Sequence, residues 1–152
     1  MASVMKRPRL SAVKPLAGFR LVLVFINGKR HVLDMRDDVS RLPGLAPLQD
    51  EDAWLGAIVD ENGWVVEWPE LDIQIGADTL WMDAQAQAAK DPDTREFILW
   101  RAKNGLSLAD AARALGITPR TVSAYGTGER PVPRYIILAC KGWELINGRV
   151  AA

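Results

Sequence analysis

The chain has 152 residues with 19 acidic and 19 basic side chains, one histidine and one cysteine, a length that suits one ordinary domain or two small ones. No apolar run approaches the roughly 20 residues of a bilayer-spanning helix, the lone cysteine excludes an internal disulfide, and the common nucleophilic and acid–base chemistries are poorly supplied. The zero net charge hides a segregation: residues 1–20 carry +5, residues 21–91 carry −9 and residues 92–152 carry +4, as expected of units with different partners.

Residues 1–17 carry Lys6, Arg7, Arg9 and two prolines. They are read as a basic arm, mobile or leading into the first strand; no apolar core follows directly, so no signal peptide is expected. A small α+β domain, serving partner binding or self-association, is expected over residues 18–83. Phe19–Ile26 is apolar and β-branched, as in a buried strand. Asn27-Gly28, two residues that tolerate positive φ, predicts a two-residue hairpin. Lys29–Met35 returns, with Arg30, Val32 and Asp34 alternating against His31, Leu33 and Met35. Val39–Pro47 reads as a connection, and Asp50 as the cap of one helical turn to Leu55. Asn62-Gly63 suits a second hairpin, leading into Trp64–Trp68 with Trp64, Val66 and Trp68 on one face. Pro69 ends that strand, Leu71, Ile73 and Ile75 alternate in an edge segment, and Asp78 opens a helix over Thr79–Ala89.

Residues 84–92 are Ala/Gln-rich, then Asp-Pro-Asp, and read as a linker. From residue 93 the apolar period changes from two to 3.6, which predicts an all-α domain to residue 152. Thr94–Asn104 forms the first helix, stopped by Gly105. Ser107 caps Leu108–Leu115, with Ala111, Ala112 and Leu115 inward. Gly116 turns the chain, Thr118 caps the next helix and Pro119 occupies its first position. Gly126-Thr127-Gly128 is read as the stop, and Arg134–Asn147 is the last helix.

The stretch Ser107–Tyr125 has helix-turn-helix spacing: small Ala112 at the close approach, Gly116 at the turn, and Leu115, Ile117 and Val122 closing the wedge. Here the sequence resembles the Cro/repressor-like (XRE-type) helix-turn-helix family of bacterial regulators, over about residues 94–147. Gly128–Pro133 is similar to the family's loop after the recognition helix. The resemblance implies double-stranded DNA as partner, with Pro119, Arg120, Thr121 and Ser123 at base edges in the major groove. Arg120 is the candidate for a bidentate guanine contact. It also implies that Ser107, Thr118, Thr127 and Arg130, with Arg134 beside them, lie near phosphates. Two departures stand out. Leu108 opens the second helix where the family often has a polar residue, and Pro119 lacks a side-chain donor.

The first domain resembles a family of small bacterial domains of unknown function. The likeness rests on the Asn-Gly hairpin, Pro43–Leu48, Trp68–Asp72 and Asp78–Trp81. Such domains are often encoded beside a toxin-like partner, which implies a small protein partner for residues 18–83 and an antitoxin-like, autoregulatory repressor. One short recognition helix reads few base pairs, so a homodimer is expected. The other reading left open is a protein–protein adaptor whose helix-turn-helix binds no DNA. No enzymatic activity, cofactor, metal or membrane association is expected, and the location expected is the cytoplasm. Trp54, Trp64, Trp68 and Trp81 are expected in the core, with interface exposure of one or two as the alternative. His31 and Cys140 are expected to be structural. The acidic runs Asp50–Asp52 and Asp60-Glu61 are read as solvated turns.

Overall fold

The computed structural model describes residues 7–148. The chain divides into two compact units, residues 1–84 and 85–152. The first six residues of the expected arm, Lys6 included, and the last four of the chain lie outside the described residues.

The first unit holds two antiparallel three-stranded sheets. The first sheet runs β1 (Leu10–Leu16), β2 (Arg20–Phe25), β3 (Arg30–Asp34). β1 corrects the sequence reading, which gave these residues to the arm. Its alternation is weak and Pro15 argues against a strand, but β1 is an edge, where proline is tolerated. Residues ahead of it are anchored too. The Arg9 carbonyl accepts from the Ile26 amide at 3.0 Å, and Arg9 Nε donates to the Asn62 carbonyl at 2.9 Å.

β2 and β3 pair in the register Leu21↔Leu33 and Leu23↔His31, and Leu33 and Met35 are buried as the alternation required. The Asn27-Gly28 hairpin forms, but only Gly28 has positive φ. The Gly28 amide bonds the Phe25 carbonyl at 2.9 Å and the Phe25 amide bonds the Lys29 carbonyl. The loop therefore has three residues, a type I turn closed by a glycine bulge, rather than two.

The expected connection after β3 contains α1 (Arg36–Arg41) and a 3₁₀ segment, Pro43–Gln49. Asp50 then caps α2 (Glu51–Trp54), its side chain accepting from the Asp52 amide. The second sheet is β4 (Ile58–Val59), β5 (Val65–Trp68) and β6 (Ile73–Gly76). Gly63, before β5, is buried, and a Cβ there would collide with the Leu10 carbonyl oxygen. The Leu10 amide donates to the Gly63 carbonyl at 2.7 Å, so this glycine lets β1 bridge to the second sheet.

Trp54 and Trp68 stack at 5.3 Å in the centre of the unit. Trp54 Nε1 donates to the carbonyls of Leu16 and Arg20, and Trp68 Nε1 to that of Trp54. Trp81 is also buried, edge-on to Phe25 at 4.8 Å. Trp64 departs from the core expectation. It is 41% exposed, with the Arg9 guanidinium 4.9 Å from its ring centroid.

α3 (Ala77–Ala88) runs across the division between the units. Ala84, Gln85 and Ala86, read from sequence as polar linker, are buried. Four helices follow: α4 (Pro92–Lys103), α5 (Leu108–Leu115), α6 (Pro119–Thr127) and α7 (Arg134–Ile146). Asp91 caps α4 with Pro92 at its first position. The core of this unit is Phe97, Trp100, Ala111, Ala112, Val122, Tyr125, Val132, Ile136, Ile137 and Cys140. No helix among the described residues is long and apolar enough to cross a membrane.

Candidate nucleic-acid interface

The geometry of α5 and α6 follows from their ends. Ser107 Oγ accepts from the Asp110 amide at 3.0 Å, while Asp110 Oδ2 accepts from the Ser107 amide at 3.3 Å. This capping box satisfies two orphan donors at once. The Ser107 hydrogen bonds, with Arg113 adding its charge, hold the Asp110 carboxyl below its ordinary pKa. At the other end Gly116 takes φ 71°, and the Ile117 amide reaches back to the Ala112 carbonyl at 3.0 Å. That is the six-to-one bond of a Schellman turn, and it leaves only Gly116 and Ile117 between α5 and the cap of α6. Leu115 and Ile117 pack against the core beside buried Val122, which closes the wedge. Leu108, the departure from the family pattern, packs against that core as well.

The first turn of α6 gathers four of the sequence-predicted residues. Thr118 Oγ1 accepts from the Thr121 amide at 3.1 Å and lies 2.9 Å from Thr121 Oγ1. Pro119 and Arg120 are exposed in that turn. Arg130 joins them from the following loop. Its Nη1 donates to Thr121 Oγ1 at 3.5 Å and its guanidinium lies 5.8 Å from the Tyr125 ring centroid. The Arg130 amide also bonds the Ala124 carbonyl, which anchors the loop backbone. The positive end of the helix dipole and two guanidinium groups thus belong to one helix end and its return loop. α6 itself contains no acidic residue.

Arg120, Ser123 and Thr127 recur at spacings of three and four, so they share a face of α6. Thr127 sits at its far end, donating to the Ala124 carbonyl and accepting from the Glu129 amide. Ser107 lies on the other helix, at the start of α5. Arg134, at the start of α7, pairs with Asp93 at 2.8 Å. Gly126 does not stop α6. It is a buried member of the helix, and its missing Cβ leaves room for the Gln85 side chain, to which a Cβ would lie 3.3 Å. Gly128, with φ 78°, is the stop.

The sequence reading missed Tyr125 as the platform for Arg130 and Asp110 as the closing half of the cap. A carboxylate three residues after a serine cap was a legible signal for the second. Nothing in one dimension pointed to the first. Of the residues set aside as structural, His31 packs between Phe25 and Trp81, and its pKa is lowered by burial and then by Lys29. Cys140 is buried, and burial, with Glu144 and Glu96 adding to it, pushes its thiol up to about 12, so it is protonated at neutral pH.

Comparison with known proteins bears on both units. The family model for proteins of unknown function, DUF2442, matches residues 10–86. A helix-turn-helix family model matches residues 99–139. A solved structure, "Putative DNA Binding Protein NE0471" from Nitrosomonas europaea, is 38% identical over 90% of this chain and 86% of its own, with a TM-score of 0.59. The chain belongs to the DUF2442 family. Its second unit is a helix-turn-helix of the Cro/repressor-like kind. Comparison with curated proteins gave no match.

Proposed function

We propose that this DUF2442 protein binds double-stranded DNA in a sequence-specific way and regulates transcription, with α6 in the major groove. The observation that carries this reading is the first turn of α6: exposed Arg120 at the helix start, and Arg130 docked on Thr121 and Tyr125. Arg120 and Ser123 read base edges. Thr118, Ser107 and Arg130 contact phosphates and fix register. Thr121 has two roles, at the edge of the reading face and as the partner that orients Arg130. The similarity to a chain named for DNA binding supports the reading. Residues 18–83 serve as the partner-binding half. Its partner is a small protein, in an antitoxin-like arrangement in which the complex represses its own gene. The protein works without a cofactor, as a cytoplasmic homodimer and not as an enzyme.

Selection of bound fragments from a random duplex library, followed by binding titrations at several salt concentrations, tests this. A specific site should emerge, and affinity for it should fall steeply with salt as counterions are released. Arg120→Ala should cost about 1–3 kcal/mol and relax specificity at one base pair. Arg130→Ala should weaken all sequences alike and flatten the salt dependence. If no duplex is bound even at low salt, the helix-turn-helix is an adaptor and the proposal fails.

A further inference from the structure

Helix α7 is apolar on two opposite faces. Its inner face, Ile136, Ile137 and Cys140, is buried in the core of the second unit. Its three charged side chains all pair with α4. Arg134 Nη1 lies 2.8 Å from Asp93 Oδ1, Lys141 Nζ lies 3.3 Å from Glu96 Oε1, and Glu144 Oε2 lies 3.1 Å from Lys103 Nζ. No charged residue of α7 is left for the outer face. There Tyr135, Leu138, Leu145 and Ile146 are 68%, 58%, 71% and 85% exposed. A helix with apolar residues all round is stable when both sides are covered.

Two features of this face point to what covers it. Tyr135, Leu138, Gly142 and Leu145 follow a three-four-three spacing, the seam by which helices pair with helices. Gly142 in the middle of that seam has no reason within the chain. It lies inside the helix, its φ is not positive, and a Cβ there would meet nothing within 4 Å. Glycine in a helix interior is unfavourable relative to alanine unless something must approach the backbone closely. The ion pairs along α4 compensate one another, so among the described residues α7 offers no unpaired charge by which a charged partner would be selected. The same compensation lets two identical faces meet without like-charge repulsion.

We propose that the outer face of α7 pairs with α7 of a second copy of this chain, across a two-fold axis beside Gly142. The exposed apolar side chains amount to on the order of 500 Å² per copy, at the upper range of patches on monomers. Their mutual burial removes on the order of 1,000 Å², the size of a weak, reversible pairing. The pairing itself is independent of the DNA-binding reading. Only its consequence rests on that reading: the dimer would present two copies of α6 to two half-sites.

Sedimentation equilibrium of the full chain without DNA, over a wide concentration range, tests the pairing. The wild type should be a reversible dimer. Leu138→Asp should weaken self-association by at least roughly thirtyfold, the effect of removing an interface hot spot. Gly142→Arg should weaken it at least as much. Its side chain enters open space and it removes a helix-interior glycine, so the thermal midpoint of the resulting monomer should be no lower than that of the Leu138→Asp monomer. Ile26→Asp, at an exposed residue of the first unit, should leave the dimer unchanged. A wild type that is monomeric at the highest concentration overturns the proposal. So does a dimer whose constant is unmoved by Gly142→Arg, whatever Leu138→Asp does to folding. Loss of DNA binding by an intact dimer would overturn the functional reading and leave this one standing.

Discussion

The two units are held together at different sequence ranges. In the first, the decisive bonds join residues far apart: Trp54 Nε1 to the Leu16 and Arg20 carbonyls, and the Leu10 amide to the Gly63 carbonyl. In the second, the shape of the helix-turn-helix is set by bonds spanning a few residues: Ser107 with Asp110, Thr118 with Thr121, and Ile117 with Ala112. The candidate site grows from those short-range bonds, because capped helix ends are also what place Arg120 and Thr121. The first unit is instead knit around the buried rings of Trp54, Trp68 and Trp81.

The long-range bonds of the first unit converge on Trp54. The ring is fully buried, stacks on Trp68, meets Phe19 edge-on at 5.7 Å, and satisfies two carbonyls. Trp54→Ala should cost about 3–5 kcal/mol of stability, read as a shift of the urea midpoint. Trp54→Phe keeps most of the volume and loses the donor. It should cost less, because it leaves a smaller cavity and removes only the indole donor. If Trp54→Ala costs no more than a helix cap, the long-range core is not what stabilises the first unit.

Caps sharpen the other side. Ser107→Ala and Thr118→Ala should each cost about 1 kcal/mol, within the ~0.5–2 range for such residues, on the same urea assay. Double replacement should be near additive if the two caps act independently. Thr118→Ala also removes the hydroxyl beside Thr121, so its effect on DNA affinity should exceed its effect on stability.

What was legible follows the same division. Ser107, Thr118, Pro119 and Gly116 carry their geometry in their own side chains, or in the lack of one, and the sequence places them correctly. β1 was hidden because its strand character depends on β2 lying alongside, with Pro15 permitted only by the edge position. α1 was hidden because Arg36–Arg41 buries only Val39 and has no side-chain cap. Ala84–Ala86 looked like solvated linker because nothing local says what covers an alanine or a glutamine. Gly126 resembled a stop for the same reason, since its purpose is room for Gln85. Trp64 could not be told from Trp68 by alternation; the fold buries Trp68 against Trp54 and leaves Trp64 exposed beside Arg9. In the candidate site, Arg120 was legible as the second residue of a capped helix. The placement of Arg130 on Tyr125 was not, because it needs the return of the loop.

An effect confined to one side of the pH range tests whether the first unit carries a charge-burial cost. Asp83, on α3, has its pKa raised to about 6, first by burial and then by the charge of Asp38 on α1. An unfolded aspartate titrates near 3.9. Between these values the folded state holds the proton more tightly than the unfolded one, so stability falls as pH rises from about 4 to about 6 and the loss is complete above that. This is opposite to Asp110, whose lowered pKa makes its contribution grow over the acidic range as pH rises. Asp83→Asn removes the charge and keeps the shape. After allowance for solvent screening of a partly exposed group, it should stabilise the protein by about 1 kcal/mol at pH 7.5 and by nothing measurable near pH 3.5. Thermal midpoints at both pH values decide it. Equal shifts at the two would mean that the amide helps through packing, and that Asp83 bears no charge-burial cost.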